Sequence, residues 1–138
     1  MTPQTRKHGK LILLVDDKQD VLQTLAEGLR ASGEFEIITA ENGKRALELF
    51  GTGLKIGLLI TDLDMPEMNG FELLAHVRKN FPATPAIVLT GLITPKIEER
   101  LKAIGDYACI EKPVGFRDLR RRIIDELRIH SEPGEKKA

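Results

Sequence analysis

A chain of 138 residues is long enough for one domain with a sizeable core, and a second catalytic or DNA-binding domain is not expected within it. Lys plus Arg number 21 and Asp plus Glu 21, so there is no global basic field to draw the chain onto nucleic acid or an anionic membrane. No apolar run approaches the roughly 20 residues of a spanning helix, and one cysteine, Cys109, excludes an internal disulfide, so a cytoplasmic protein is expected.

Residues 1–9 are polar and are expected to form a flexible arm. Leu11-Ile12-Leu13-Leu14-Val15 is an unbroken apolar run that ends in Asp16-Asp17. Val21, Leu22, Leu25 and Leu29 then share one face of a helix that Ser32-Gly33 terminates, glycine supplying the left-handed position. Glu36 to Thr39 fits a second strand. Asn42-Gly43 opens a short helix carrying Ala46, Leu47 and Phe50, closed by Gly51. Leu58-Leu59-Ile60-Thr61 leads straight to Asp62, after which Asp64, Pro66, Asn69 and Gly70 turn the chain away from the strand direction. Phe71, Leu74, Val77 and Phe81 mark a third helix stopped by Pro82. Ile87-Val88-Leu89 is a further apolar run, ending in Thr90-Gly91. Pro95 suits the first turn of a fourth helix, with Ile97, Leu101 and Ile104 inward and Gly105 at its end. Tyr107 to Ile110 fills a fifth strand slot ahead of Lys112-Pro113. Phe116, Leu119, Ile123 and Leu127 carry the last helix, and Ser131 to Ala138 reads as a disordered tail or the start of a linker. The folded domain is therefore placed at residues 10–130.

Five repeats of strand then helix, with continuous rather than alternating strand hydrophobicity, predict an α/β fold: a doubly wound parallel sheet with helices on both faces. The carboxyl ends of such strands share one edge of the sheet, where open α/β sheets place ligands. Asp16-Asp17, Asp62, Thr90 and Lys112 all fall at or just beyond those ends. Three carboxylates in one small pocket repel one another unless a cation compensates. Hard oxygen ligands suit Mg2+, which needs one or two carboxylates and keeps several waters. With the Thr90 hydroxyl and the Lys112 ammonium, the set can hold a phosphoryl group in line with a carboxylate nucleophile.

The set Asp16-Asp17, Asp62 within Asp62-Leu63-Asp64-Met65-Pro66-Glu67-Met68-Asn69-Gly70, Thr90, and Lys112-Pro113 resembles the receiver domain of two-component response regulators, over about residues 10–129. The resemblance implies a flavodoxin-like five-stranded sheet of order 2-1-3-4-5 with five helices in three layers. It implies that Asp62 is the phosphoacceptor, served by the phosphohistidine of a sensor histidine kinase or phosphotransfer protein, or by a small acyl phosphate. It further implies that Asp16, Asp17, Asp62 and the backbone carbonyl of Asp64 hold Mg2+, with Mn2+ as a second option. Lys112 matches the lysine that pairs with the phosphoryl group and Thr90 the hydroxyl that moves toward it. Pro113 matches a proline often preceded by a cis bond. Phosphorylation would then rearrange the fourth helix, fifth strand and fifth helix, the surface for a downstream effector or a homodimer.

The chain departs from the family pattern at Cys109, where an aromatic switch residue commonly sits. Tyr107, two residues earlier on the same strand face, is a weak substitute, and Cys109 otherwise reads as a small buried hydrophobe. Asp64 and Leu92 occupy positions that in the family tune loss of the phosphoryl group. Arg120-Arg121-Arg122 reads as a solvated helix face, and His8, His76 and His130 lack metal-ligand spacing. Alone, Asp16-Asp17 is better read as a helix cap; with Asp62, Thr90 and Lys112 it reads as a metal site. Two other functions stay open. One is an aspartate-nucleophile phosphatase of the haloacid dehalogenase type, suggested by Asp62-Leu63-Asp64 after an apolar strand. The other is a receiver-fold scaffold that works without phosphorylation.

Overall fold

The structure, a computed structural model, describes residues 11–131, with side chains to residue 129. The expected arm at 1–9, the tail from 132 and the side chains of His8 and His130 lie outside the described residues. Ser131, first residue of the expected tail, is the last of the final helix. Strands and helices alternate as β1 (Leu11–Val15), α1 (Gln19–Ala31), β2 (Glu36–Ala40), α2 (Gly43–Phe50), β3 (Ile56–Asp62), α3 (Gly70–Asn80), β4 (Ala86–Thr90), α4 (Pro95–Ile104), β5 (Ala108–Glu111) and α5 (Phe116–Ser131). Every strand pair is parallel, and the order is β2-β1-β3-β4-β5. The doubly wound fold and its strand order are those anticipated. No helix among the described residues is long and apolar enough to cross a membrane.

The continuous apolar strands serve two cores at once. Leu13, Val15, Leu59 and Val88 face α2, α3 and α4, packing with Ala46, Phe50, Leu73, Leu74, Val77 and Leu101. Their neighbours Ile12, Leu14, Leu58, Ile60, Ile87 and Leu89 face α1 and α5, against Leu22, Ala26, Leu29, Leu119, Ile123 and Leu127. The period of two along each strand assigns alternate side chains to opposite layers, so both must be apolar.

Helix starts are set by local chemistry. Asn42 Oδ1 accepts from the Arg45 N–H at 2.7 Å, and Asn69 forms a reciprocal capping box with Glu72. Thr94 Oγ1 accepts from the Ile97 N–H at 3.1 Å, with Pro95 as the first helical residue. The N-cap of α1 is Lys18, which makes no side-chain cap, so Asp16-Asp17 does not cap that helix.

Some expectations need correction. β5 begins at Ala108, one residue later than expected, and Tyr107 lies just ahead of it. Phe81 and Phe116 are not core residues: they are 36% and 38% exposed. Both sit at helix ends, where the periodic face runs out over the sheet edge. Phe81 instead lies against Phe50, ring centroids 5.0 Å apart, and Phe116 covers Gly28 of α1. Arg120 is not simply solvated, since its guanidinium donates Nε to Glu34 Oε1 at 2.5 Å and Nη2 to Glu34 Oε2 at 2.7 Å. That two-pronged pair ties α5 to the corner between α1 and β2.

Candidate functional site

Parallel pairing of β1 with β3, Val15 opposite Thr61, brings Asp16 and Asp62 to one edge. Asp62 is the last residue of β3, flanked by buried Thr61 and Leu63. One oxygen each of Asp16, Asp17 and Asp62 lie within 4.8 Å of one another. Asp16 and Asp62 are each 2% exposed, so their charges meet little water.

Lys112, one residue past β5, closes the pocket. Its Nζ donates to Asp62 Oδ2 at 3.2 Å and lies 3.5 Å from Asp16 Oδ2. The longer contact is an ion pair without a hydrogen bond, because Asp16 Oδ2 accepts none. Backbone amides supply the other donors: Lys18 N–H to Asp16 Oδ1 at 2.9 Å and Asp64 N–H to Asp62 Oδ1 at 3.3 Å.

Burial raises the Asp16 carboxyl above its ordinary 3.8, and repulsion from Asp62 and Asp17 adds to this against the Lys18 amide and Lys112. At Lys112 burial disfavours the ammonium, but attraction from Asp62 and Asp16 outweighs it and the net shift is upward from 10.5. Asp16 Oδ2 and Asp17 Oδ1 are buried without a hydrogen-bond donor. Buried carboxylate oxygens in that condition are costly unless a cation satisfies them. The donor set, all oxygen and acidic, fits a hard divalent ion of the Mg2+ kind.

The turn that carries Asp62 into α3 is folded tightly on the strand. Gly70 N–H donates to Leu63 O at 2.9 Å, and a Cβ at Gly70 would meet Leu63 Cα at 2.7 Å and the carbonyl of Asp62. Met65 is buried in the α2–α3–α4 core, anchoring the turn, and Glu67 takes a positive φ of 64°.

The other expected residues lie around this pocket at different depths. Thr90 ends β4 and is buried, and its carbonyl accepts from Lys112 N–H at 2.7 Å. The Lys112–Pro113 bond is cis. The Asp64 side chain is exposed, and Leu92 is 63% exposed in the loop after β4. Cys109 is half-buried rather than fully buried, on the α4 side of the sheet with Tyr107. Burial first, then Glu98 and Glu111, pushes its thiol up from 9.0, away from the lowered range of reactive cysteines. His76 is exposed. Glu111, which nothing in the sequence singled out, accepts a hydrogen bond from Ile93 N–H at 3.0 Å. An acid beside a lysine at a strand end reads as solvated until the loop it touches is in place.

These features define a class: a flavodoxin-like α/β domain with an acidic, cation-compatible pocket at the carboxyl edge of its sheet and a lysine closing on the central carboxylate. The family described as the response regulator receiver domain matches residues 12–124. The uncharacterized transcriptional regulatory protein YrkP of Bacillus subtilis is 36% identical over 128 residues, covering 91% of this chain and 53% of that protein. The chain thus spans about half of that relative. A CheY-like response regulator receiver domain protein from Methanospirillum hungatei superposes with a TM-score of 0.82 at 31% identity, covering 91% of this chain and 98% of that one. Response regulator protein TrrA from Thermotoga maritima, in complex with Mg(2+)-BeF, gives 0.74 at 32% identity, covering 84% and 97%. The chain belongs to the response regulator receiver domain family.

Proposed function

We propose that this chain is a Mg2+-dependent phosphorylation switch that takes a phosphoryl group on Asp62 and passes the signal to a partner through its α4–β5–α5 surface. The observation that carries the reading is the pocket itself: three clustered carboxylates, two buried oxygens without donors, and Lys112 at 3.2 Å from Asp62. Asp16, Asp17, Asp62 and the Asp64 backbone carbonyl would hold the ion, Mg2+ or alternatively Mn2+. When bound, it offsets negative charge on the phosphoryl oxygens.

The donor is the phosphohistidine of a sensor histidine kinase or phosphotransfer protein. An Asp62 oxygen forms the new O–P bond as the N–P bond breaks, and the leaving imidazole nitrogen keeps the electron pair and takes a proton from solvent. Lys112 shifts its ammonium from the Asp62 carboxylate to a phosphoryl oxygen, and Thr90 donates its hydroxyl to another. The added charge, about 1.5 to 2 units, biases a two-state equilibrium of the loop after β4 and hence of α4, β5 and α5. The receiving partner is an effector protein or domain, or a second copy meeting the same surface, in the cytoplasm. Asp64 and Leu92 would set how long the phosphoryl group persists. The chain has no metabolic substrate in this reading.

The test is phosphoryl incorporation from a small acyl phosphate with Mg2+, read by intact mass, in wild type and Asp62→Asn. Incorporation in wild type alone is expected, and no incorporation under any donor would sink the reading. Mg2+-dependent turnover of a generic phosphate ester, lost in the same variant, would favour the phosphatase; partner binding indifferent to Asp62→Asn would favour the scaffold.

A further inference from the structure

The last residue of β5 holds the loop that follows β4. Glu111 pairs with Thr90 in the parallel register, and its Oε2 accepts from Ile93 N–H at 3.0 Å, across 18 residues of chain. Alternation along the strand puts Glu111 on the same α4-facing side as Cys109. The next residue, Lys112, reaches Asp62 at 3.2 Å, while its own amide donates to Thr90 O at 2.7 Å. Two consecutive residues therefore grip the phosphoacceptor, the root of the loop and its middle. The first half of that loop is otherwise open, since Gly91 and Leu92 are exposed and a Cβ at Gly91 would meet nothing within 4 Å, while its far end is held by Thr94 as the cap of α4.

We infer that Glu111 is a positioning residue, a latch that keeps the loop in the arrangement belonging to the free Asp62 carboxylate and that opens when Thr90 is drawn to a phosphoryl group. The inference rests on the phosphorylation reading above. Cys109 is too small to fill and vacate the space between β5 and the loop as an aromatic ring would. Glu111, two residues on along the same face, makes the contact between β5 and the loop instead. Because Glu111 is exposed, water competes for the bond, and the latch is weak enough for added charge at Asp62 to release it.

The test uses the full chain as wild type, Glu111→Ala and Glu111→Gln, titrated with beryllofluoride at saturating Mg2+, with amide hydrogen exchange followed at Ile93. In the unliganded wild type the Ile93 amide is expected to be protected, and to lose protection on saturation. Glu111→Ala should lack protection throughout and bind beryllofluoride roughly three- to tenfold more tightly, the range of an ordinary net hydrogen bond, to which exposure to water reduces this one. Glu111→Gln keeps an acceptor oxygen without the charge and should fall between. Protection that survives saturation in the wild type, or wild-type affinity in Glu111→Ala, overturns the latch and leaves the phosphorylation reading standing. A wild type that gives no beryllofluoride response overturns both.

Discussion

Asp16 sits in an environment at odds with its chemistry. It is 2% exposed, one of its oxygens accepts no hydrogen bond, and two other carboxylates lie in the same pocket. Its carboxyl is raised above 3.8 by burial, ahead of repulsion from its acidic neighbours. A folded pKa above the unfolded one means that the native state binds the proton more tightly. Ionised Asp16 therefore subtracts stability above its folded pKa, and the loss fades as pH falls through that value. Without Mg2+, Asp16→Asn should raise the melting temperature near neutral pH by a few degrees, about 1 kcal/mol for one unsatisfied buried polar atom. The gain should shrink in acid, and with saturating Mg2+ the order should reverse because a proposed ligand of the ion is gone. Calorimetry across pH decides this; a variant less stable than wild type near neutral pH without the ion would contradict it. Leu92 offers a second case. Its exposed side chain has no polar group to orient a water toward Asp62, so the phosphoryl group should outlast many seconds, whereas a polar Leu92→Asn should shorten its lifetime. Decay followed by intact mass measures both, and equal lifetimes would remove Leu92 from the reaction. Asp16-Asp17, Asp62 and Thr90 were legible in the sequence because they close apolar strand segments, and Lys112 because it lies just beyond the fifth strand slot, ahead of Pro113. Glu111 and the Arg120–Glu34 pair were not, since each depends on a contact between segments distant in the chain.

At the scale of elements, the turn from β3 into α3 decides where Asp62 points. The helices were legible from their 3.6-residue spacing and from Asn42, Gly33 and Pro95, whereas the caps Asn69 and Thr94 came only with the structure. Their apolar ends were misleading, because Phe81 and Phe116 continue the pattern beyond the sheet they would cover. The start of β5 slipped by one residue because Tyr107 fits a strand as well as Ala108 does. Gly70 reads in sequence as a turn former, but its requirement is different. It sits where a Cβ would strike the backbone of Asp62 and Leu63, the latter at 2.7 Å, while its N–H holds Leu63 O. Backbone cannot rotate away as a side-chain tip can. Gly70→Ala should therefore destabilise the fold by about 3 kcal/mol, the upper part of the range for overpacking, and should weaken Mg2+ binding by displacing Asp62. Urea unfolding and ion titration check the two effects. A change below about 0.5 kcal/mol, the scatter of ordinary surface substitutions, would show that the turn yields easily.

The whole molecule has its pocket at one edge of the sheet and its only tyrosine at the other. Asp16, Asp62 and Lys112 come from or follow β1, β3 and β5, so the proposed ion site forms only once these strands are in register. The unfolded chain offers no such site, and ion binding free energy then appears as stability of the entire fold. At Mg2+ one hundred times its dissociation constant the gain is about 2.7 kcal/mol, on the order of 8 °C for a domain of this size. Both cores share the same five strands, so the transition should stay cooperative. Tyr107, which precedes β5 at the opposite edge and is the only aromatic fluorophore besides phenylalanine in a chain without tryptophan, reports on the far end. Its fluorescence and the far-ultraviolet circular dichroism should shift upward together on adding Mg2+, and neither should shift in Asp17→Asn. A Tyr107 transition that stays put while the dichroism moves would mean that the pocket edge gains stability alone. Equal shifts in wild type and Asp17→Asn would mean that the ion binds elsewhere.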